Sequence, residues 1–437
     1  MIDLADLRAR PDAYKKAAKN KNLKVDIDAF LKLDEKRRAL IPEVEEMRAR
    51  KNEVSKQVPK LTGKEKAKAI TDMKKLNETL KKKADELTAL ETKWQALQYE
   101  LPALPLDSVP VGKDESGNVE VKRWGDPSTV LRVTPAEAKD HVALGQALDI
   151  IDLERGAKVA GARSYFLKGD GARLEQAVLR FAQDHLRKKG WTIFHPPIIA
   201  TRDCFVGTGF FPGADQNNIY AVGGQMELGG PIESDNGYLI GTSEVSVCSY
   251  HKDEVLKELP KRYAGVSPCF RREAGSYGKD THGLYRVHQF QKVEQVVLCE
   301  ADTDTAMKMF EEIRTNAEEV LQALKLPYRV MTICTGDMGK GKVFMQDIET
   351  WMPSHKAYGE THSCSYLGDF QSRRLNIRYS DAGGAKKFVH TLNNTCIASP
   401  RILIPLLEIY QNKDGSVTIP EVLVPFMDGQ TKISTKS

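Results

Sequence analysis

The strongest constraint on the fold is a heptad pattern of apolar residues between about residues 27 and 101. Apolar side chains recur at steps of three and four, which places them on one side of an α-helix and indicates a coiled coil. The segment 57–66 interrupts the pattern with Pro59 and Gly63, as expected for a turn between two helices. We therefore predict one antiparallel helical hairpin, whose helices of about 35 residues each reach roughly 50 Å. The seam consists of Phe30, Leu33, Leu40, Val44, Met47 and Val54, with Arg37 and Lys51 at two seam positions, and of Met73, Leu76, Leu80, Ala84, Leu87, Leu90, Trp94, Leu97 and Leu101.

Positive charge is concentrated on the outer part of this hairpin. Residues 48–83 contain 13 Lys or Arg and 4 Asp or Glu, a balance of +9, whereas the whole chain carries +5. A solvated coiled-coil surface is the usual meaning of such a charge run. A polarised tip on a long lever also fits a contact with an RNA backbone, because phosphate binding needs clustered Lys and Arg.

The composition of the whole chain is typical of a globular protein. The 437 residues, 41% hydrophobic and 29% charged, are enough for two or three domains with a core. The sequence contains no run of about 18 apolar residues, so we predict no membrane span. The N-terminus lacks the apolar segment of a secretory signal, so we predict no such signal. The seven cysteines are scattered without a C-x-x-C pair, which favours reduced thiols in a cytoplasm and argues against a disulfide framework or a zinc site.

A second motif, CFRREAGSYGKDTHGLYRVHQFQKVE at residues 269–294, contains two extended runs around a glycine-containing loop. Alternate side chains of a strand share a face. In the second run that face consists of Arg286, His288, Phe290, Lys292 and Glu294, and in the first run of Arg271 and Glu273. Such a face is either solvated or lines a charged pocket, and one aromatic ring among charges suits stacking of a flat ring.

These residues resemble the motif 2 hairpin of the seryl-tRNA synthetase family of class II aminoacyl-tRNA synthetases. The resemblance implies an α+β chain: a tRNA-binding coiled-coil arm at 1–110, and a catalytic domain at 111–437 built on an antiparallel β-sheet flanked by helices. The Pro- and Gly-rich segment 101–118 reads as the linker. In that family the arm holds the long variable arm of tRNA(Ser).

Residues 171–203 read as a helix, a turn and a strand that carries Pro197. They resemble motif 1 of class II synthetases, which implies a homodimer interface. An ordinary helix–strand packing unit would give the same pattern.

The sequence GTSE at 241–244 resembles the family's T-x-E signature, with Ser243 in place of the commoner alanine. The resemblance places Thr242 and Glu244 at the substrate serine, with Glu244 close to its ammonium group.

Between residues 335 and 363 two short motifs invite a phosphate or metal role. TGDMGKGK lacks the spacing of a phosphate-binding loop, because Val343 follows Lys342, and we reject it. Glu360 and Ser363 match the family's E-x-x-S, which implies that they hold the Mg²⁺ bound to ATP. Thr361 and His362 depart from the family's middle pair, and we expect His362 to pack or hydrogen-bond locally.

Residues 390–411 resemble motif 3, a strand followed by a helix. Ser399 is the expected N-cap and Pro400 the first helical residue. Arg401 would then lie in the first turn, where the helix dipole disfavours a cation, so it needs an anionic partner. The resemblance makes that partner the ATP triphosphate; a nearby carboxylate is the alternative. The run Asn393 to Cys396 departs from the family's Asn-Gly-Ser-Gly, although Thr395 keeps a hydroxyl.

The resemblance also implies roles for single residues in serine activation. Arg271 would contact the α-phosphate and the serine carboxylate, and Arg401 the γ-phosphate. Glu273 would bind the adenine amino group and Phe290 would stack on adenine, while Glu294 and Thr395 would bind the serine hydroxyl. For transfer to tRNA(Ser), it points to Lys279 or His282 at the acceptor stem, and it leaves tRNA(Sec) open as a second acceptor.

Three other classes of protein remain to be weighed. A non-catalytic RNA-binding paralogue would have lost the site residues that this chain retains. An enzyme that loads a carrier protein would lack the basic arm. A structural coiled-coil protein would leave residues 241–427 unexplained.

Overall fold

We analysed a computed structural model of the chain, which describes residues 1–134, 137–223, 234–274 and 283–435. The chain divides into two compact units, Met1–Pro102 and Ala103–Ser437. The division comes eight residues before the boundary expected from the linker. Residues 103–110 belong to the second unit by their backbone hydrogen bonds, since Ala103 N donates to Lys340 O and Leu106 N to Val343 O.

The first unit is helical. Asp26 caps the first long helix by accepting a hydrogen bond from Ala29 N at 2.9 Å, and a 3₁₀ turn at Val58–Lys60 separates the two long helices. The helices are α1 Leu4–Ala9, α2 Pro11–Asn20, α3 Ile27–Gln57 and α4 Gly63–Glu100. The expected helical hairpin is thus present, with its turn inside the predicted segment.

The seam of the hairpin is the one that the heptads indicate. Leu40 and Val44 of α3 are buried against Leu80 and Leu87 of α4. Near the start of α3 and the end of α4, the rings of Phe30 and Trp94 stack with their centres 6.0 Å apart.

The second unit contains a mixture of helices and strands. Its helices are α5 Pro127–Val130, α6 His141–Ala147, α7 Leu153–Ala160, α8 Asp170–Lys188, α9 Arg202–Thr208, α10 Glu244–Ser249, α11 Thr303–Ala323, α12 Phe370–Leu375 and α13 Leu403–Tyr410. Its strands are β1 Val119–Trp124, β2 Ile151–Asp152, β3 Phe166–Leu167, β4 Thr192–Phe194, β5 Ile199–Thr201, β6 Ala221–Gly223, β7 Ser234–Leu239, β8 Val255–Leu256, β9 Lys261–Phe270, β10 Gln289–Cys299, β11 Tyr328–Thr332, β12 Phe344–Met352, β13 Ala357–Tyr366, β14 Arg378–Ser380, β15 Lys386–Phe388, β16 His390–Ser399, β17 Val417–Thr418 and β18 Lys432–Ile433.

The main sheet has the order β1-β11-β12-β13-β16-β10-β9-β4, which makes eight strands within the described residues. All neighbours pair antiparallel except β4, which runs parallel to β9. Helices α8 and α11 contact β10, β16 and each other, and their apolar residues form the main core with the sheet. The α+β class expected from the sequence is confirmed. Among the described helices, none combines the length and the apolar character needed to cross a membrane.

Candidate active site

A cavity of about 500 Å³ opens over the strands β9, β10, β13 and β16. Most of its lining comes from segments that the sequence singled out, although they lie far apart along the chain. Every residue that we assigned to serine, ATP or metal lines it: Thr242, Glu244, Arg271, Glu273, Phe290, Glu294, Glu360, Ser363, Thr395 and Arg401.

One wall carries a buried ion pair. Phe290, Lys292 and Glu294 alternate along β10 and all line the cavity, as the period of two predicts. The Lys292 Nζ atom lies 2.7 Å from Glu294 Oε2, and the two side chains are only 7% and 2% exposed. Burial raises the pKa of Glu294 despite the lysine. Thr395 lies opposite on β16, and its hydroxyl donates to Glu294 Oε2 at 3.3 Å.

A second carboxylate faces the cavity from the start of α10. Glu244 is 6% exposed, and its Oε1 accepts a hydrogen bond from Gln371 Nε2 at 2.7 Å. Thr242 Oγ1 accepts from Glu244 N at 3.3 Å. Ser243, the departure from the family signature, is fully buried and donates to Gly265 O. The departure therefore leaves the two cavity residues in place.

Arg271 and Glu273 continue β9 beyond its last paired residue. The guanidinium carbon of Arg271 lies 5.2 Å from the ring centre of Phe290, and its Nε donates to Gly241 O at 3.2 Å. Glu273 accepts from Arg286 Nη1 at 2.8 Å. Arg286 is thus paired beside the cavity instead of lining it, and neither it nor His288 belongs to β10, so the predicted face extends only from Phe290 to Glu294.

Arg401 lies at the cavity, but our prediction of its place in a helix was wrong. Helix α13 begins at Leu403, and Ser399 ends β16, where its hydroxyl donates to Glu175. Arg401 therefore precedes the helix, and the dipole argument does not apply. It is held instead by Tyr285, whose carbonyl oxygen accepts from Arg401 Nε at 2.9 Å and whose ring centre lies 4.3 Å from the guanidinium carbon.

Strand β13 contains a β-bulge that places Glu360 and Ser363 on the same wall. Glu349 pairs with Glu360 and Ile348 with His362, so Thr361 is the extra residue. Without the bulge, residues three apart would face opposite sides. A carboxylate and a hydroxyl oxygen on one wall fit Mg²⁺, a hard cation that takes oxygen ligands and is usually shared with phosphates.

Sequence reasoning missed several residues near this wall. Asp347 lies opposite Ser363 on β12, and burial and the Glu360 carboxylate raise its pKa well above the usual range. Asp337 and Lys342 line the cavity, although we rejected their segment as a phosphate loop. The Nζ atom of Lys342 donates to Ser365 Oγ at 2.6 Å. A lysine beside glycines was the only signal in the sequence. Lys279 and His282 lie outside the described residues.

Two parts of the chain match family models. Residues 1–105 match the seryl-tRNA synthetase N-terminal domain, and residues 231–410 match the tRNA synthetase class II core domain (G, H, P, S and T). The serine–tRNA ligase of Deinococcus radiodurans is 46% identical over 432 residues, which cover 98% of each chain. The chain belongs to the seryl-tRNA synthetase family. The serine–tRNA ligase activity expected from the sequence, that of an ATP-dependent aminoacyl-tRNA synthetase, is thereby confirmed.

Further relatives of the synthetase agree. The serine–tRNA ligase of Symbiobacterium thermophilum is 44% identical, again over 98% of each chain. Among solved structures, the seryl-tRNA synthetase from Pyrococcus horikoshii complexed with ATP superposes with a TM-score of 0.85 at 34% identity and covers all of both chains. The similarity to these relatives thus extends over both the N-terminal unit and the second unit.

Proposed function

We propose that this cavity forms seryl-adenylate and that the arm of residues 1–102 presents tRNA(Ser) to it. The observation that carries the proposal is the convergence of ten residues, chosen from the sequence, on one cavity of about 500 Å³. Both kinds of charge that the reaction requires face this cavity. The carboxylates of Glu244 and Glu294 suit the amino acid, and the guanidinium groups of Arg271 and Arg401 suit the triphosphate.

The first step joins two anions. A serine carboxylate oxygen forms a bond to the α-phosphorus of ATP, the bond from that phosphorus to the β-phosphate oxygen breaks, and pyrophosphate leaves. Catalysis by positioning and electrostatic stabilisation suits this task. Arg271 contacts both the carboxylate and the α-phosphate, and Arg401 contacts the γ-phosphate. Because Tyr285 fixes Arg401 beforehand, little reorganisation is needed when ATP binds.

The nucleotide is held by a ring and by a carboxylate. Phe290 stacks on adenine, on a ring that Arg271 already approaches, and Glu273 accepts from the adenine amino group. Glu360 and Ser363 would hold Mg²⁺, which would neutralise phosphate charge when bound.

The serine subsite explains selection of the amino acid. Glu244 meets the ammonium group, and Glu294 and Thr395 bond the hydroxyl, with Lys292 fixing the Glu294 carboxylate. Such a site rejects alanine by roughly 10⁴-fold, because the analogue leaves buried polar groups unpaired.

In the second step the seryl group moves to the 3′ end of tRNA and AMP leaves. The basic surface of residues 48–83 binds the tRNA backbone by charge and shape. We also propose that α8 and the segment that follows it form a homodimer interface; Pro197 lies between β4 and β5 of that segment, not within the strand that the sequence predicted. The enzyme works in the cytoplasm, where its seven thiols stay reduced, and tRNA(Sec) is a second candidate acceptor.

ATP–pyrophosphate exchange tests the site without tRNA. Exchange is expected with serine alone among the twenty amino acids and only with Mg²⁺, and Arg401→Ala should abolish it while folding persists. The matched control is Arg155→Ala, since the Arg155 side chain is 75% exposed and does not line the cavity. Full exchange by Arg401→Ala would remove Arg401 from the mechanism.

The arm is tested by replacing residues 38–91 with a short linker. Adenylate formation should persist and tRNA charging should be lost. Charging at the wild-type rate would contradict the role of the arm.

A further inference from the structure

A fully buried carboxylate and imidazole lie next to Leu284, which lines the cavity. His141 belongs to none of the motifs above, and Glu408 lies in the motif 3 segment without an assigned role. Glu408 in α13 and His141 at the start of α6 are both 0% exposed. Glu408 Oε1 accepts from His141 Nδ1 at 2.8 Å and from His141 N at 3.0 Å. On the other side of the ring, Leu284 N lies 3.2 Å from His141 Nε2 and donates to it.

These contacts define the tautomer of His141. The carboxylate can only accept, so Nδ1 carries the proton; Nε2 accepts from a backbone N–H, so it carries none. The ring therefore presents a donor toward α13 and an acceptor toward residue 284. A side chain with only one of these functions could satisfy only one of the two partners.

The backbone that His141 holds is the backbone that positions Arg401. Leu284 is followed directly by Tyr285, whose carbonyl and ring both contact Arg401. His141 also packs closely on Gly283, where an added Cβ would lie 2.0 Å from Nε2. The imidazole thus fixes the two residues that precede Tyr285, and through them it sets the position of Tyr285.

Glu408 supports Tyr285 from a second direction. Its Oε2 accepts from Ser354 N and its Oε1 from Ser354 Oγ, both at 2.8 Å. The next residue, His355, places its ring 5.7 Å from the ring of Tyr285. The carboxylate thus contacts the Ser354–His355 segment directly and the Leu284–Tyr285 segment through His141.

We propose that His141 and Glu408 are positioning residues for ATP: they fix Tyr285, and Tyr285 orients the guanidinium of Arg401 toward the triphosphate. The proposal rests on the proposed role of Arg401. It predicts that loss of either buried group weakens use of ATP and leaves use of serine unchanged. The carboxylates of the serine subsite are held by other groups, since Gln371 donates to Glu244 and Lys292 pairs with Glu294.

The test is the exchange reaction with His141→Gln and with Glu408→Gln, measured over a range of ATP and of serine concentrations. The KM for ATP should rise about ten-fold, as expected when one buried hydrogen bond to an orienting group is removed, and the KM for serine should change less than about two-fold. The matched control is His251→Gln: His251 is also buried, and it bonds Glu254 and Tyr263, which lie outside the cavity lining. Equal rises in both KM values, or the same result in the control, would overturn the proposal.

Two further measurements separate a positioning role of His141 and Glu408 from a purely structural one. Ser354→Ala removes one donor from Glu408 and should raise the KM for ATP about two- to three-fold even where His141→Gln does not fold. In an Arg401→Lys background, His141→Gln should add less than about two-fold, because its effect passes through the guanidinium. An additive effect would overturn the proposal, whereas an Arg401→Lys enzyme with wild-type exchange would instead contradict the role of Arg401.

Discussion

His362 Nε2 lies 3.1 Å from the backbone carbonyl oxygen of Cys396 and joins two β-bulges. Thr361 is the extra residue of β13, and Cys396 is the extra residue of β16 opposite β10. A bulge takes a residue out of the ladder, so its polar backbone groups need another partner. The two departures from the family pattern, at Thr361-His362 and Asn394-Thr395-Cys396, are therefore in contact with one another.

This histidine predicts how stability depends on pH. Burial lowers the pKa of His362 from 6.5 to about 4, although its bond to Cys396 favours protonation. Between these two pKa values the unfolded chain binds a proton that the folded chain does not, so stability falls as the pH is lowered. At about pH 5 the decrease should be about 2 kcal/mol. In His362→Gln, the thermal unfolding temperature should fall less between about pH 7 and pH 5 than in the wild type.

The control for this experiment is His195→Gln, because the His195 side chain is exposed. It should keep the wild-type dependence on pH. An identical dependence in His362→Gln would mean that other groups govern acid unfolding.

A single hydroxyl should control the affinity for serine. Thr395→Val keeps the size of the side chain but removes the donor to Glu294 and the proposed contact with the substrate hydroxyl. A weakening of about 1–2 kcal/mol corresponds to a roughly five- to thirty-fold rise in the KM for serine in pyrophosphate exchange, with the KM for ATP unchanged. Thr395→Ser keeps the hydroxyl and should stay near the wild type. Equal effects of the two substitutions would point to packing instead.

Asp34 should anchor the base of the arm. Its carboxylate is 1% exposed and accepts from Arg8 at 2.8 Å and from Arg38 and Trp94 at 3.1 Å. Burial alone would raise its pKa, but the hydrogen bonds from Arg8 and Trp94 outweigh burial and lower the pKa. Asp34→Asn should destabilise the N-terminal unit by about 1–3 kcal/mol, because both arginines are partly solvated.

Limited proteolysis of the arm and tRNA charging would report this destabilisation, while pyrophosphate exchange should remain. Asp12→Asn is the matched control, since the Asp12 side chain is 93% exposed. Unchanged protease resistance in Asp34→Asn would contradict the role of the carboxylate.

The sequence predicts those parts of the fold and the site that depend on a local repeat of apolar or polar residues. Heptads indicated the arm, and a period of two placed Phe290, Lys292 and Glu294 on one wall. Bulges have no such signature, so the common wall of Glu360 and Ser363 followed only from resemblance. Arg401 shows the limit of local rules: Ser399 and Pro400 resemble a helix start, yet the strand extends through Ser399 and the helix begins later.

Contacts between residues far apart in the sequence could not be predicted, because no local pattern indicates them. His141 and Glu408 are 267 residues apart, and each alone looks like a residue of a helix. Only the topology brings the pair into contact with the segments on either side of Tyr285. The same holds for Asp347, which a strand pairing places opposite Ser363.

The basic tip of the arm should bind tRNA through its charge, and salt dependence separates that role from a solvated surface. Lys64, Lys66 and Lys68 are exposed in the first turns of α4. Replacing all three with Gln should raise the KM for tRNA and lower the slope of its logarithm against the logarithm of salt concentration by about 1 for each phosphate that is no longer neutralised. Pyrophosphate exchange should not change. Replacing the exposed lysines 257, 308 and 413 alters net charge equally and should leave the slope unaltered; equal slopes for both triple variants would mean that the tip charge only solvates the arm.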